Sequence, residues 1–272
     1  VSGVILTLLE HPDASLGLLA ASERLADLLG GARIEVLAVR VPPEATILPT
    51  EEVLTKRRAQ SIREREDARV SELHAAFDDW SAWGRTEGVS AEWHDLEGLV
   101  DAAIKDWGTR ADVIVLRRPT GHDRLPAQHE IHTALFETDR PVLVVPPDAP
   151  ASFGRRVAIA WRNDRQAIRA VLSALRCRTA PERVFVIAGV APGSPRPTLP
   201  DILLEHGIEA ELHILPIGSG VFGEALLAKA NELGADLLVM GAYRHSPMRE
   251  LLLGGVTRYM LGHADLPILM RH

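Results

Sequence analysis

The sequence predicts an α/β protein built from two doubly wound, parallel, five-stranded units. Three observations carry the prediction. Short apolar runs such as Asp112-Val-Ile-Val-Leu116 and Asp236-Leu-Leu-Val-Met240 alternate with longer amphipathic segments, the pattern of strands buried on both faces and crossed over by helices. The plan restarts after Pro146-Pro-Asp-Ala-Pro-Ala-Ser-Phe-Gly154, a proline-rich stretch with no periodicity. The halves also match each other in pattern. Leu99 to Leu116 runs in step with Gly223 to Met240, Asp139 to Val145 with Asp265 to Arg271, and Val4 to Glu10 with Val157 to Asn163. Domains are therefore expected at residues 1–147 and 155–272.

Taken in order, Val4 to Leu9 reads as a buried strand. Asp13 or Ser15 can cap a helix that runs to Leu29 and stops at Gly30-Gly31. Ile34 to Val41 is the next strand, and Pro42-Pro43 breaks the pattern before a long polar helix from about Glu51 to Gly84. Its stretch Lys56 to Arg69 is dense in charge of both signs, which reads as a solvated face laced with i,i+4 pairs. Phe77, Trp80 and Trp83 are expected to pack on the sheet. Val89 to Leu96 is a strand, Gly98 to Arg110 a helix, Asp112 to Leu116 a strand, and Val142 to Val145 the fifth strand after a helical piece ending at Thr138. The second half repeats this with strands at Val157 to Trp161, Val184 to Val190, Ile208 to Ile217, Leu237 to Met240 and Ile268 to Met270. Helices are expected at Asp164 to Leu175, Leu199 to His206, Gly223 to Leu233 and Val256 to Leu261.

The totals exclude several function classes. Of the 272 residues, 46% are hydrophobic and 25% charged, a globular rather than a disordered mix. A net charge of -7 argues against nucleic acid as a partner. The single cysteine, Cys177, forbids an internal disulfide and fits a reducing compartment. No apolar run approaches the roughly 20 residues of a membrane span, and Val1 to Leu9 lacks the basic start of a signal peptide. A cytoplasmic location without membrane contact is the expectation.

The most informative stretch is Asp236 to Thr257. An apolar strand ends at Gly241, Ser246 and Pro247 can open a helical turn, and Gly254-Gly255 precede the helical run Val256 to Leu261. Strand, glycine turn, then helix is the local plan of an anion-binding loop, in which glycines admit a phosphate and a helix N-terminus faces it. The spacing Gly241-x2-Arg244-x9-Gly254-Gly255 resembles the G-x2-G-x9-G-[ST] loop of the nucleotide-binding universal stress proteins. The outer glycines fit, Arg244 replaces the middle glycine and Gly255 the hydroxyl residue. The resemblance covers nearly the whole chain and is strongest from Gly223 to His272. It implies a tandem member of that family with an adenine nucleotide alpha-hydrolase-like fold. It also implies a crevice between the first and fourth strands of each unit, with backbone near Ala188 and Val190 meeting adenine and the glycine loop meeting phosphates.

The candidate anion or nucleotide site is thus Arg162, Ala188, Val190, Gly241, Arg244, Gly254, Gly255, Val256 and Thr257. Arg162 stands where the family's nucleotide binders commonly carry an acid. It and Arg244 could bind a phosphate-bearing ligand through charge-assisted bonds, or pair with Glu224 or Glu250 and fill the crevice. ATP or another adenine nucleotide is the cofactor in question. If the Arg244 side chain blocks the site, glycine at that position should restore nucleotide affinity. The first half has Arg117-Arg118-Pro119-Thr120 after its fourth strand and Gln128-His129 in place of the glycine pair, so no nucleotide is expected there. His129 and His132 share a helical face without a placed third ligand, and no metal is assigned. Cys177 between Arg176 and Arg178 could carry a lowered pKa, although a packed or idle thiol is the commoner case. No G-x-S-x-G elbow or Walker loop occurs, and no catalytic residue is assigned.

The family's members usually dimerise through their last strands, which implies that Val142 to Val145 pairs with Ile268 to Met270 inside this chain, packs the two units as a pseudo-two-fold pair and hides two apolar edges. The long helix leaves a surface for further homo-oligomerisation. Three functions stay open: a non-enzymatic stress-response binding or signalling module, an ATP-binding protein with slow hydrolysis, and a ligand-free interaction scaffold.

Overall fold

The computed structural model describes residues 3–46, 55–82, 86–120, 126–150, 152–218, 220–242 and 255–272. The strands are β1 (Gly3–Leu8), β2 (Ala32–Arg40), β3 (Val89–Glu97), β4 (Val113–Arg117), β5 (Val142–Val145), β6 (Arg156–Trp161), β7 (Arg183–Val190), β8 (Glu211–Pro216), β9 (Leu237–Gly241) and β10 (Ile268–Arg271). The helices are α1 (Ser15–Leu28), α2 (Lys56–Ala82), α3 (Val100–Gly108), α4 (Pro126–Glu137), α5 (Arg165–Ala174), α6 (Asp201–Glu205), α7 (Phe222–Glu232) and α8 (Val256–His263).

The sheet order is β3-β2-β1-β4-β5-β10-β9-β6-β7-β8. Read outward from the seam, each half runs 5-4-1-2-3 in its own count, so the doubly wound plan occurs twice. Pairing is parallel within each half and antiparallel only where β5 meets β10, with Leu143 opposite Leu269. The two units therefore do not stand as separate sheets; they share one of ten strands.

Alternation along the strands divides the core into two layers. Ile5, Val113, Val115, Val157 and Val239 face α1, α2, α5 and α6, while Leu6, Ile114, Ala158 and Leu238 face α3, α4, α7 and α8. Phe77 and Trp80 pack in the first layer, and Phe77 lies 5.7 Å from Trp93 ring to ring; Trp83 lies outside the described residues. Neither Asp13 nor Ser15 caps α1. A 3-10 turn, Pro12–Ala14, leads into it, and the buried Ser15 hydroxyl donates back to the His11 carbonyl at 2.9 Å. The charged face of α2 also does more than meet water. Arg69 donates to the carbonyls of Glu10 and Val39, and Glu66 accepts from the Val41 amide, tying the helix to the ends of β1 and β2. Among the described residues no helix is long and apolar enough to cross a membrane.

The seam is buttressed by ion pairs. Asp139, in the left-handed region at φ 54, accepts from Arg169 of α5 and sits 3.5 Å from Arg271 of β10. Asp112 accepts from Arg176 at 2.8 Å. The Arg169 guanidinium bonded to Asp139 holds its carboxyl below the usual carboxylate range. A carboxylate depressed in the folded state contributes stability that is full above its unfolded pKa of about 4 and lost as pH falls through the folded value. Asp139→Asn is therefore expected to lower stability modestly near neutrality, where the paired carboxylate contributes in full, and to leave it little changed at about pH 2, so that the acid limb flattens below about pH 4. Urea midpoints measured from pH 2 to 7 check this; parallel curves for the two proteins would refute it.

Candidate functional site

In an open α/β sheet, ligands bind beyond the carboxyl ends of the strands where the strand order reverses. In the second half that point lies between β6 and β9, and a cleft of about 750 Å³ opens there. One wall is the end of β6 and the first turn of α5, with Trp161, Arg162 and Asp164. Another is the end of β7 with Ala188 and Gly189. The loop after β7 supplies Arg196, and Gly241, Gly255, Val256 and Thr257 close the remaining side.

Asp164 organises the first wall. Its Oδ1 accepts the Ala167 amide at 3.0 Å and caps α5, because an Asp at this position satisfies an otherwise orphaned amide. Its Oδ2 accepts from Arg162 Nε. Arg162 is thus paired with Asp164, two residues on, and not with Glu224. Glu250 lies outside the described residues. Apart from Asp164 no described residue accepts from Arg162, whose side chain remains 53% exposed. Arg196 stands in the proline-rich loop, exposed, with no described acceptor.

The glycines play different parts from those expected. A Cβ on Gly241 would lie 2.7 Å from the Ala167 nitrogen and 2.7 Å from the Gln166 carbonyl carbon. The missing side chain is what lets the end of β9 meet the first turn of α5. Gly189 has the same function at β7, where a Cβ would come 2.8 Å from the Phe222 ring. Gly255 has φ -65 and ψ 160, angles open to any residue, and is the N-cap of α8. Behind it Val256 and the buried Thr257 begin the helix, so that its N-terminal end lines the cleft.

Of the residues expected from sequence, Arg162, Ala188, Gly241, Gly255, Val256 and Thr257 line this one cleft. Val190 does not; Gly189 takes that stretch of wall. Arg244 and Gly254 lie outside the described residues. Sequence reading missed Asp164 as a cleft carboxylate, and Arg196. The signal for Asp164 was present, an Asp opening an amphipathic helix. That for Arg196 was not, since a loop residue's direction depends on how the loop packs.

In the first half the corresponding ground holds carboxyls. Glu130 of α4 is buried, and burial together with the neighbouring Glu10 carboxyl pushes it up to about 10, so it is protonated at neutral pH. Asp101 lies 3.0 Å from His129 Nε2 and accepts from Thr133 at 3.2 Å. The His129 and His132 rings lie 6.2 Å apart. Among the described residues, the trio that could share an ion is Glu35, Glu92 and His94 on β2 and β3. Arg33, 2.7 Å from Glu35, already supplies a cation there. Burial raises the Cys177 thiol rather than lowering it, overcoming Arg176 and Arg24. This direction is that of the packed thiol, not of the activated one.

The sequence model of the universal stress protein family matches residues 141–272. No curated protein matches the chain. Among solved structures, a universal stress protein from Archaeoglobus fulgidus DSM 4304 superposes with a TM-score of 0.71 at 17% identity, covering 99% of this chain and 96% of that one. A functionally unknown protein from Pseudomonas aeruginosa PAO1 reaches 0.59 at 15% identity, over 100% and 92% of the two chains. The cytoplasmic domain of a prokaryotic cation chloride cotransporter reaches 0.55 at 14% identity, over 99% and 95%. At these identities the likeness is one of fold.

Proposed function

We infer, from the match of residues 141–272 to the universal stress protein family model, that this chain is a non-enzymatic stress-response binding module whose second half takes a small phosphate-bearing ligand. The observation that carries this reading is the cleft itself. It lies at the strand-order reversal between β6 and β9, is lined by Arg162 and Arg196, and is faced by the first turn of α8. Guanidinium groups and a helix N-terminus both favour an anion, and a planar guanidinium can grip two phosphate oxygens at once. Arg162 is partly neutralised by Asp164, so Arg196 is the more available cation. Ala188 and Trp161 offer apolar surface for a flat ring beside it, the division of labour an adenine nucleotide needs.

The test is thermal melting of the full chain with ATP, ADP, AMP or inorganic phosphate, each with and without magnesium. A ligand at 100 times its Kd should stabilise the fold by about 2.7 kcal/mol. Arg196→Ala is expected to weaken binding by about tenfold or more, the usual worth of a charge-assisted contact. If none of the four compounds raises Tm, the ligand-free scaffold is the better reading. Release of inorganic phosphate from ATP by the wild-type chain would instead favour the slow-hydrolysis reading.

A further inference from the structure

A second cavity, of about 230 Å³, lies on the α5 side of the sheet near the start of β6 and β7. Its floor is Val157, Val184, Leu237 and Leu269, and α5 and α6 cover it with Val171 and Leu203. The polar lining residues, Arg178, Thr179 and His206, are all exposed and form a rim. The floor residues sit on interior strands yet keep 5–8% of their surface accessible, whereas Val186 and Val239, two positions further on, keep 0%. Water-sized molecules therefore reach the middle of the sheet through this opening.

Protein interiors are packed to crystal density, with few voids larger than one water. A void walled by aliphatic groups gives water no partners, and an engineered apolar cavity of about 150 Å³ takes up benzene. We propose that this cavity is a binding site for a small uncharged hydrophobe, about the size of a substituted benzene or a bicyclic aromatic. The lining excludes a charged body: beneath the rim it offers Leu, Val, Ile, Phe and Cys side chains and no ion to pair with. The site is distinct from the cleft, although α5 serves both. Asp164 and Ala167 line the cleft, while Val171, Ala174 and Leu175 line the cavity. The proposal does not depend on what the cleft binds.

Cys177 lines this cavity and is the chain's only cysteine, so it reports on occupancy. The experiment measures Tm and the rate of Cys177 alkylation by N-ethylmaleimide on the full chain with indole, toluene or benzylammonium, a cation for which the lining holds no carboxylate. Indole or toluene at ten times its Kd should raise Tm and slow alkylation by about tenfold, in proportion to the vacant fraction. Benzylammonium should do neither. Ala174→Phe, or the smaller Ala174→Leu, places bulk in the cavity and should abolish both effects while the protein stays folded by circular dichroism. The proposal is overturned if neither neutral probe protects Cys177, if benzylammonium protects as well as toluene, or if protection survives in the folded filling variant.

Discussion

Gly241→Ala is expected to destabilise the ligand-free protein by about 2 kcal/mol, because inserting even one methyl into a filled contact forces backbone or rotamer shifts. The atoms in the way are backbone: the Ala167 nitrogen and the Gln166 carbonyl carbon, each 2.7 Å from the added Cβ. Flexible side chains could step aside, but the first turn of α5 cannot move without disturbing the Asp164 cap. A matched control separates this from generic glycine effects. Gly262, in the last turn of α8, has nothing within 4 Å of an added methyl and no left-handed angle. Gly262→Ala should therefore be neutral or stabilising by up to about 1 kcal/mol, the helix preference for alanine. The same chemical change thus has opposite signs at two glycines. Urea denaturation of both variants, with m unchanged, measures it. If Gly241→Ala melts like wild type and loses only ligand affinity, the glycine exists for phosphate approach and the packing account fails.

That result bears on what a sequence can disclose. The strand–helix alternation and the α/β class were legible, because burial on both sheet faces imposes uninterrupted apolar runs such as Val142 to Val145 and Leu237 to Met240. Element ends were less so. The strand read at Ile208 to Ile217 is only Glu211–Pro216, since edge position rather than composition decides where pairing with β7 stops. The cleft was legible in part. Gly241, Gly255 and Arg162 were visible as residue types, but their roles are set by contacts far apart in sequence. Gly241 answers to Gln166, 75 positions away by subtraction of the two residue numbers, and no local pattern records that. Arg162, for which a phosphate ligand or pairing with Glu224 or Glu250 stood open, is bound to Asp164, because a partner two residues on, already fixed as a helix cap, costs little further ordering. The apolar cavity had no sequence signal, since a void is the absence of a side chain where helices fail to meet.

Asp236→Ala should be the costliest of the surface-accessible substitutions, at about 3 kcal/mol, since it strands backbone donors that a carboxylate now satisfies. Asp236 Oδ1 accepts from Gly154 at 2.8 Å and Arg156 at 3.1 Å, and Oδ2 accepts from Arg155 at 3.2 Å. One side chain therefore fixes the chain's entry into β6 against the start of β9. The entry has little freedom to compensate. Gly154 is at φ 88, and a Cβ there would lie 2.7 Å from Leu28. Asp236→Asn should cost about half as much: its single acceptor oxygen can keep Gly154 and Arg156, while its amide group faces the Arg155 N–H. The pseudo-symmetric Asp112 makes the comparison internal. It accepts one backbone amide, Val4 at 2.9 Å, and its other oxygen takes the exposed Arg176, which can return to water. Asp112→Ala should then cost less than Asp236→Ala, about 1–2 kcal/mol. Amide hydrogen exchange should show the loss concentrated at the first residues of β6 in one variant and of β1 in the other. An Asp236→Ala protein within about 0.5 kcal/mol of wild type, or an Asp112→Ala protein the weaker of the two, would mean that the packing of Phe153 and Leu28, and not the carboxylate, holds the second half in register.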